Sequence, residues 1–95
     1  MKENDNIVFI GKKGIMSYVL AVVTQFNNGE NDVVIKARGR AISRCIDVAE
    51  ILTKKFMTDA KYGDIRIDTD QMTNENGKVS NVSSFEIDIN PPAKK

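Results

Sequence analysis

The sequence predicts an α/β domain with the element order β-α-β-α-β-β. Three observations predict it. Two short apolar runs, Ile7–Ile10 and Val33–Ile35, are each followed by a basic, glycine-containing turn and then by apolar residues at helical spacing. Two later segments, Ile65–Thr69 and Phe85–Ile89, alternate with the period of a half-buried strand. Between them lies Asn76-Gly77, a strong hairpin turn signal. Strands joined through a crossover helix run parallel and hairpin strands run antiparallel, so the sheet is mixed and four-stranded.

Taken in order, Ile7-Val8-Phe9-Ile10 reads as a buried strand stopped by Gly11. Gly11-Lys12-Lys13-Gly14 is a turn. Ile15, Val19, Val22, Val23 and Phe26 then mark one face of a helix, which Asn27-Asn28-Gly29 ends with residues tolerant of a left-handed cap. Asp32 to Ala37 is the second strand. After Arg38-Gly39-Arg40, the stripe Ile42, Cys45, Ala49, Leu52 and Phe56 marks a second helix. Ile46, Val48 and Ile51 widen that stripe, which suggests cover by the helix's own sheet on one side and by a second subunit on another. The aromatics Phe9, Phe26, Phe56 and Phe85 sit at core-like positions. Residues 73–81 form a polar hairpin end that projects from the body, and Pro91 to Lys95 form a frayed tail. Residues 1–90 are thus a single domain.

Composition excludes several chemistries. With 41% hydrophobic and 28% charged residues the chain is globular rather than disordered. No apolar stretch approaches the ~20 residues of a membrane span, and no signal peptide is visible, so a soluble intracellular protein is expected. The single cysteine, Cys45, lies on the apolar stripe of the second helix as a buried, inert thiol, and the absence of histidine removes both a base for it and the usual zinc ligands. Asp68 and Asp70 share a strand face, but acids on the exposed face of an alternating strand mostly serve solvation. Gly11–Gly14 lacks P-loop spacing. We therefore expect no catalytic residues, no metal and no cofactor.

Charge is segregated although the net value is only +1. In residues 9–55, Lys12, Lys13, Lys36, Arg38, Arg40, Arg44, Lys54 and Lys55 face only Glu30, Asp32, Asp47 and Glu50. The segment Lys36–Arg44 holds Lys36, Arg38, Arg40 and Arg44 with no acid, where a strand hands over to a helix. Free N–H groups at a helix start favour an anion, and guanidinium forks match phosphate oxygens. If the first two strands are parallel, their C-terminal ends share one sheet edge, and both basic turns converge there. Each turn alone reads equally as a solvated loop; Arg44 could instead pair with Asp47, and Lys36 could cover a rim. Jointly they make a phosphate-binding patch. Tyr18, on the first helix beside the lysine turn, is a candidate contact to nucleic acid. Lys78 at the hairpin tip is another, or serves solubility alone.

The segments Ile10-Gly11-Lys12-Lys13-Gly14-Ile15-Met16-Ser17-Tyr18 and Val34-Ile35-Lys36-Ala37-Arg38-Gly39-Arg40-Ala41-Ile42-Ser43 closely resemble the Alba family of archaeal chromatin proteins. The similarity extends through Asp70-Gln71-Met72-Thr73 and the hairpin. It implies a two-layer α/β fold with both helices on one face of the sheet and a protruding hairpin arm. It also implies a nucleoid-associated homodimer that binds double-stranded DNA, and in many members RNA, without sequence preference. By the same resemblance Arg38 and Arg40 face DNA, Lys12 matches the acetylated position, and Phe56 matches the aromatic through which dimers meet on DNA. Gly14 stands where the family commonly has proline, which implies a looser turn, and Asn81 where an arginine is common. With a balance of only +1 these departures imply weaker binding than in strongly basic members. An RNA role, in RNA protection or a ribonuclease P-like assembly, is the alternative. The alternative from another class is a module whose basic turns hold an acidic protein.

Overall fold

Strand β1 (Ile7–Phe9) leads through a turn into helix α1 (Ile15–Asn27), strand β2 (Val33–Arg38) and helix α2 (Ala41–Ile51). The chain continues through a π turn (Leu52–Phe56) into two long strands, β3 (Lys61–Thr73) and β4 (Val79–Asn90). The computed structural model describes residues 6–91, so most of the expected tail lies outside the described residues. Strand order is β1-β2-β4-β3. β1 and β2 are parallel, while β4 is antiparallel to both β2 and β3. The element order and the mixed sheet match the sequence reading.

Alternation along the strands decides the layers. Val33, Ile35 and Ala37 are buried on one face of β2, and Val34, Lys36 and Arg38 point to the other. Their partners on β4 follow suit: Ile35 faces Ile87, and Lys36 faces Glu86. The core consists of that inward row with Val8 and Ile10, Tyr18, Val19 and Val22 of α1, Cys45, Val48 and Ala49 of α2, and Leu52. Both helices therefore cover one face of the sheet, and the other face is open. Cys45 is fully buried, and burial pushes its thiol up to about 12.

Four details differ from the sequence reading. β3 and β4 are far longer than their alternating centres, because ladder hydrogen bonds run through polar residues as well, from Ile65–Ile87 out to Thr73–Val79. The hairpin end contracts to residues 74–78, where the Asn74 side-chain oxygen accepts from the N–H groups of Asn76 and Lys78, and Gly77 takes a φ of 80° that suits glycine. The second helix widens over its last turn: Met57 N–H donates to Leu52 O at 2.7 Å, while the Thr53 hydroxyl donates to Ala49 O at 2.9 Å. Finally, Phe9 and Phe56 are not core residues but are 58% and 48% exposed.

Candidate nucleic-acid interface

Parallel pairing of β1 with β2 puts both strand ends, and the turns that follow them, at one edge of the sheet. There Lys12, Lys36, Arg38, Arg40 and Arg44 line a groove of about 560 Å³ together with Phe9 and Gly11. Arg44, in the first turn of α2, donates from a guanidinium nitrogen to the Lys13 carbonyl at 3.4 Å and so ties the lysine turn to that helix. The second turn is fastened from beneath. Gly39 adopts a φ of 56°, a left-handed conformation open to glycine at little cost, and its N–H donates to Ser83 O at 2.9 Å. Both helices start at this edge without a side-chain cap or an acidic residue in the first turn. Their first N–H groups and dipoles add positive potential to the arginines and lysines.

Tyr18 is placed differently from expectation. Its ring is buried (8% exposed), and its hydroxyl oxygen accepts from the N–H groups of Gly11 at 2.8 Å and Lys13 at 3.0 Å. It faces the loop from inside rather than a ligand from outside. The turn expected to be loose at Gly14 is thereby held, and Gly14 itself sits at φ −65°, a value proline also takes. Tyr18→Phe removes the acceptor for two part-buried N–H groups and should destabilise the domain by about 1–3 kcal/mol. Thermal denaturation checks it: an unchanged melting temperature would mean that water replaces the hydroxyl at no cost.

The cations are not equivalent. On the open face Lys36 pairs with Glu86 at 3.2 Å, and Arg38 pairs with Asp70 at 3.3 Å. Arg66 reaches Glu86 at 2.9 Å and Asp88 at 2.7 Å. Arg66, followed by Lys36, holds the Glu86 carboxyl below the usual carboxylate range. Among the described residues, Lys12, Lys13, Arg40 and Arg44 form no ion pair. The acids that partially neutralise Lys36 and Arg38 lie on β3 and β4, so their pairing partners could not be read from local sequence.

Lys78 and Phe56 stand apart from the groove. β2 pairs with β4 only as far as Arg38–Ser84, so Val79–Ser83 and the tip run on past the basic edge. At ~3.4 Å per residue, Lys78 lies roughly 20 Å beyond it. The hairpin thus projects from the edge that carries the arginines. Phe56 ends the helical segment that begins at that edge, more than about 20 Å away at 1.5 Å per residue.

Residues 6–69 match the family model described as Alba. The chain is 59% identical over 85 residues to the DNA/RNA-binding protein Alba of Thermoplasma volcanium, covering 90% of this chain and 94% of that one. It is 58% identical over 85 residues to the protein of the same description from Thermoplasma acidophilum, with the same coverage. The solved structure of Alba from Thermoplasma volcanium superposes with a TM-score of 0.84, covering 90% of this chain and 99% of that chain. With two thirds of its sequence inside the family model and close relatives along nearly its whole length, this chain belongs to the Alba family.

Proposed function

We propose that this protein is a chromatin-type nucleic-acid-binding protein that holds duplex DNA as a homodimer, through phosphates, at the edge formed by its two basic turns. The observation that carries the reading is the convergence of Lys12, Arg38, Arg40 and Arg44 on one groove, with two uncapped helix starts behind them. Lys13 flanks that groove, and Lys36 supports it from the open face. The hairpins, each ending in Lys78, straddle the duplex. Phosphate carries no sequence, so these contacts position the protein without choosing a site. The names of the relatives, which are DNA/RNA-binding, support the same reading. No helix among the described residues is long and apolar enough to cross a membrane.

The test is a salt-resolved titration with duplex DNA. If roughly four to six phosphates are neutralised, log K falls against log salt with a slope of about −4 to −5. Lys12→Gln, which mimics the neutral acetylated side chain, reduces that slope further. A flat response overturns the reading and leaves a module for acidic proteins. Competition of structured RNA against duplex DNA for the same protein ranks the two polymers.

The dimer is supported by apolar residues that one chain leaves uncovered. Ile65 and Ile67 pair with Ile87 and Phe85 and so face the helix side of the sheet, yet Ile67 is 75% exposed: the side-chain hydrogen bonds from the helical layer to β3 are at Tyr62, whose hydroxyl donates to Glu50 of α2, at the strand's start. Ile46 on α2 is exposed on the same side. Ile67→Asp places a charge in that strip and should yield monomers in sedimentation velocity; an unchanged dimer would put the interface elsewhere. Phe56, exposed at the far helix end, is the side chain we assign to contact between neighbouring dimers on DNA. Its replacement by alanine should lower cooperativity at an unchanged isolated-site affinity.

A further inference from the structure

β1 places one residue where its neighbours do not go. Val8 and Ile10 point into the core, and Phe9 between them stands on the open face, 58% exposed. A single exposed apolar residue is ordinary. Its surroundings are not. The Lys36 ammonium stands over the ring, 5.8 Å from its centroid, and the ring lines the same groove as Lys12, Arg38 and Arg40. An aromatic face within a cluster of phosphate-binding cations is the arrangement by which proteins take unpaired nucleotides: cations follow the backbone and the ring accepts a base.

From this geometry we propose that Phe9 is a stacking platform for an unpaired nucleobase, whose flanking phosphates are held by Lys12 and Arg40. The inference rests on the phosphate-binding reading of that edge and adds a ligand class to it: single-stranded or looped nucleic acid, RNA or DNA, in which a base face is free. A duplex keeps its base faces inside the stack and gains nothing from the ring. A second copy of the chain is a poor occupant, since a two-fold contact here would bring the same cations face to face.

The experiment compares wild type with Phe9→Leu, which keeps apolar bulk and loses the aromatic face. Fluorescence anisotropy at one salt concentration reads binding to labelled oligo-uridine, oligo-thymidine, an abasic strand of equal length, and a duplex. Phe9→Leu should weaken both base-bearing strands by about tenfold, in the range of one lost stack. Duplex and abasic-strand affinities should change less than twofold. A loss on oligo-uridine alone still supports the platform and makes the sugar part of the site. Equal losses on all four probes, or no loss on the single strands, overturn it. A change in dimerisation with unchanged strand affinity also overturns it and gives the ring to a protein contact. If wild-type protein binds none of the probes, the phosphate reading itself fails, which is a different result from a selective null at Phe9.

Discussion

Arg40→Ala lowers affinity for duplex DNA by about a hundredfold at 0.1 M salt and reduces the magnitude of the salt slope by about 2. The magnitude follows from counting in the proposed dimer: one phosphate contact per subunit is lost, and each contact contributes about 0.9 to the slope. Arg40 is the better of the two turn arginines because it is exposed and forms no ion pair among the described residues. Its side chain makes no capping bond to α2, so alanine leaves the helix start intact. Arg38 is different. Its guanidinium already sits 3.3 Å from Asp70, a contact that a phosphate must displace. Arg38→Ala therefore costs less than Arg40→Ala, and Asp70→Asn, which frees the guanidinium, raises affinity. Titrations of the three variants at several salt concentrations check this ranking. A larger loss at Arg38 than at Arg40 would show that Asp70 orients the arginine rather than competing for it.

The largest effect on stability is expected from Ile35→Ala. Ile35 is fully buried on the central strand, pairs with Val8 and Ile87, and faces the helices. Truncation removes the transfer energy of the side chain and leaves a cavity walled by two sheet neighbours that cannot collapse into it, a loss of about 2–5 kcal/mol. For a domain of this size that lowers the melting temperature by roughly 10–25 °C. Denaturation is to be compared at equal protein concentration, since the proposed subunit association would add to apparent stability. The salt slope of the folded variant stays that of wild type. A loss below about 1 kcal/mol would mean that the core repacks around the site.

The sequence made the order of elements legible because each carries its own period: Ile15 to Phe26 for α1, Ile65–Thr69 and Phe85–Ile89 for the hairpin. The basic edge was legible because both turns are short and follow parallel strands. What escaped is non-local. Phe9 lies in an unbroken apolar run, which reads as burial on both sides, but the helices cover one face of the sheet only. Tyr18 works through a hydroxyl that reaches back seven residues to Gly11. The restraint on Arg38 comes from Asp70, thirty-two positions away and brought near by the register of β3 and β4. No periodicity reports such contacts.

The two outer strands of the sheet bear on how such a protein survives crowding along a polymer. Unpaired strand edges invite other copies to add strands, the first step to fibres. Here one edge is β1, only three residues long. The other, β3, spans 13 residues but breaks register between Tyr62 and Ile65 and carries Asp64, Arg66, Asp68 and Asp70 along its length. A short edge on one side and an irregular, charged edge on the other discourage sheet-to-sheet growth. Copies packed side by side can then remain separate, reversible molecules instead of merging into an aggregate.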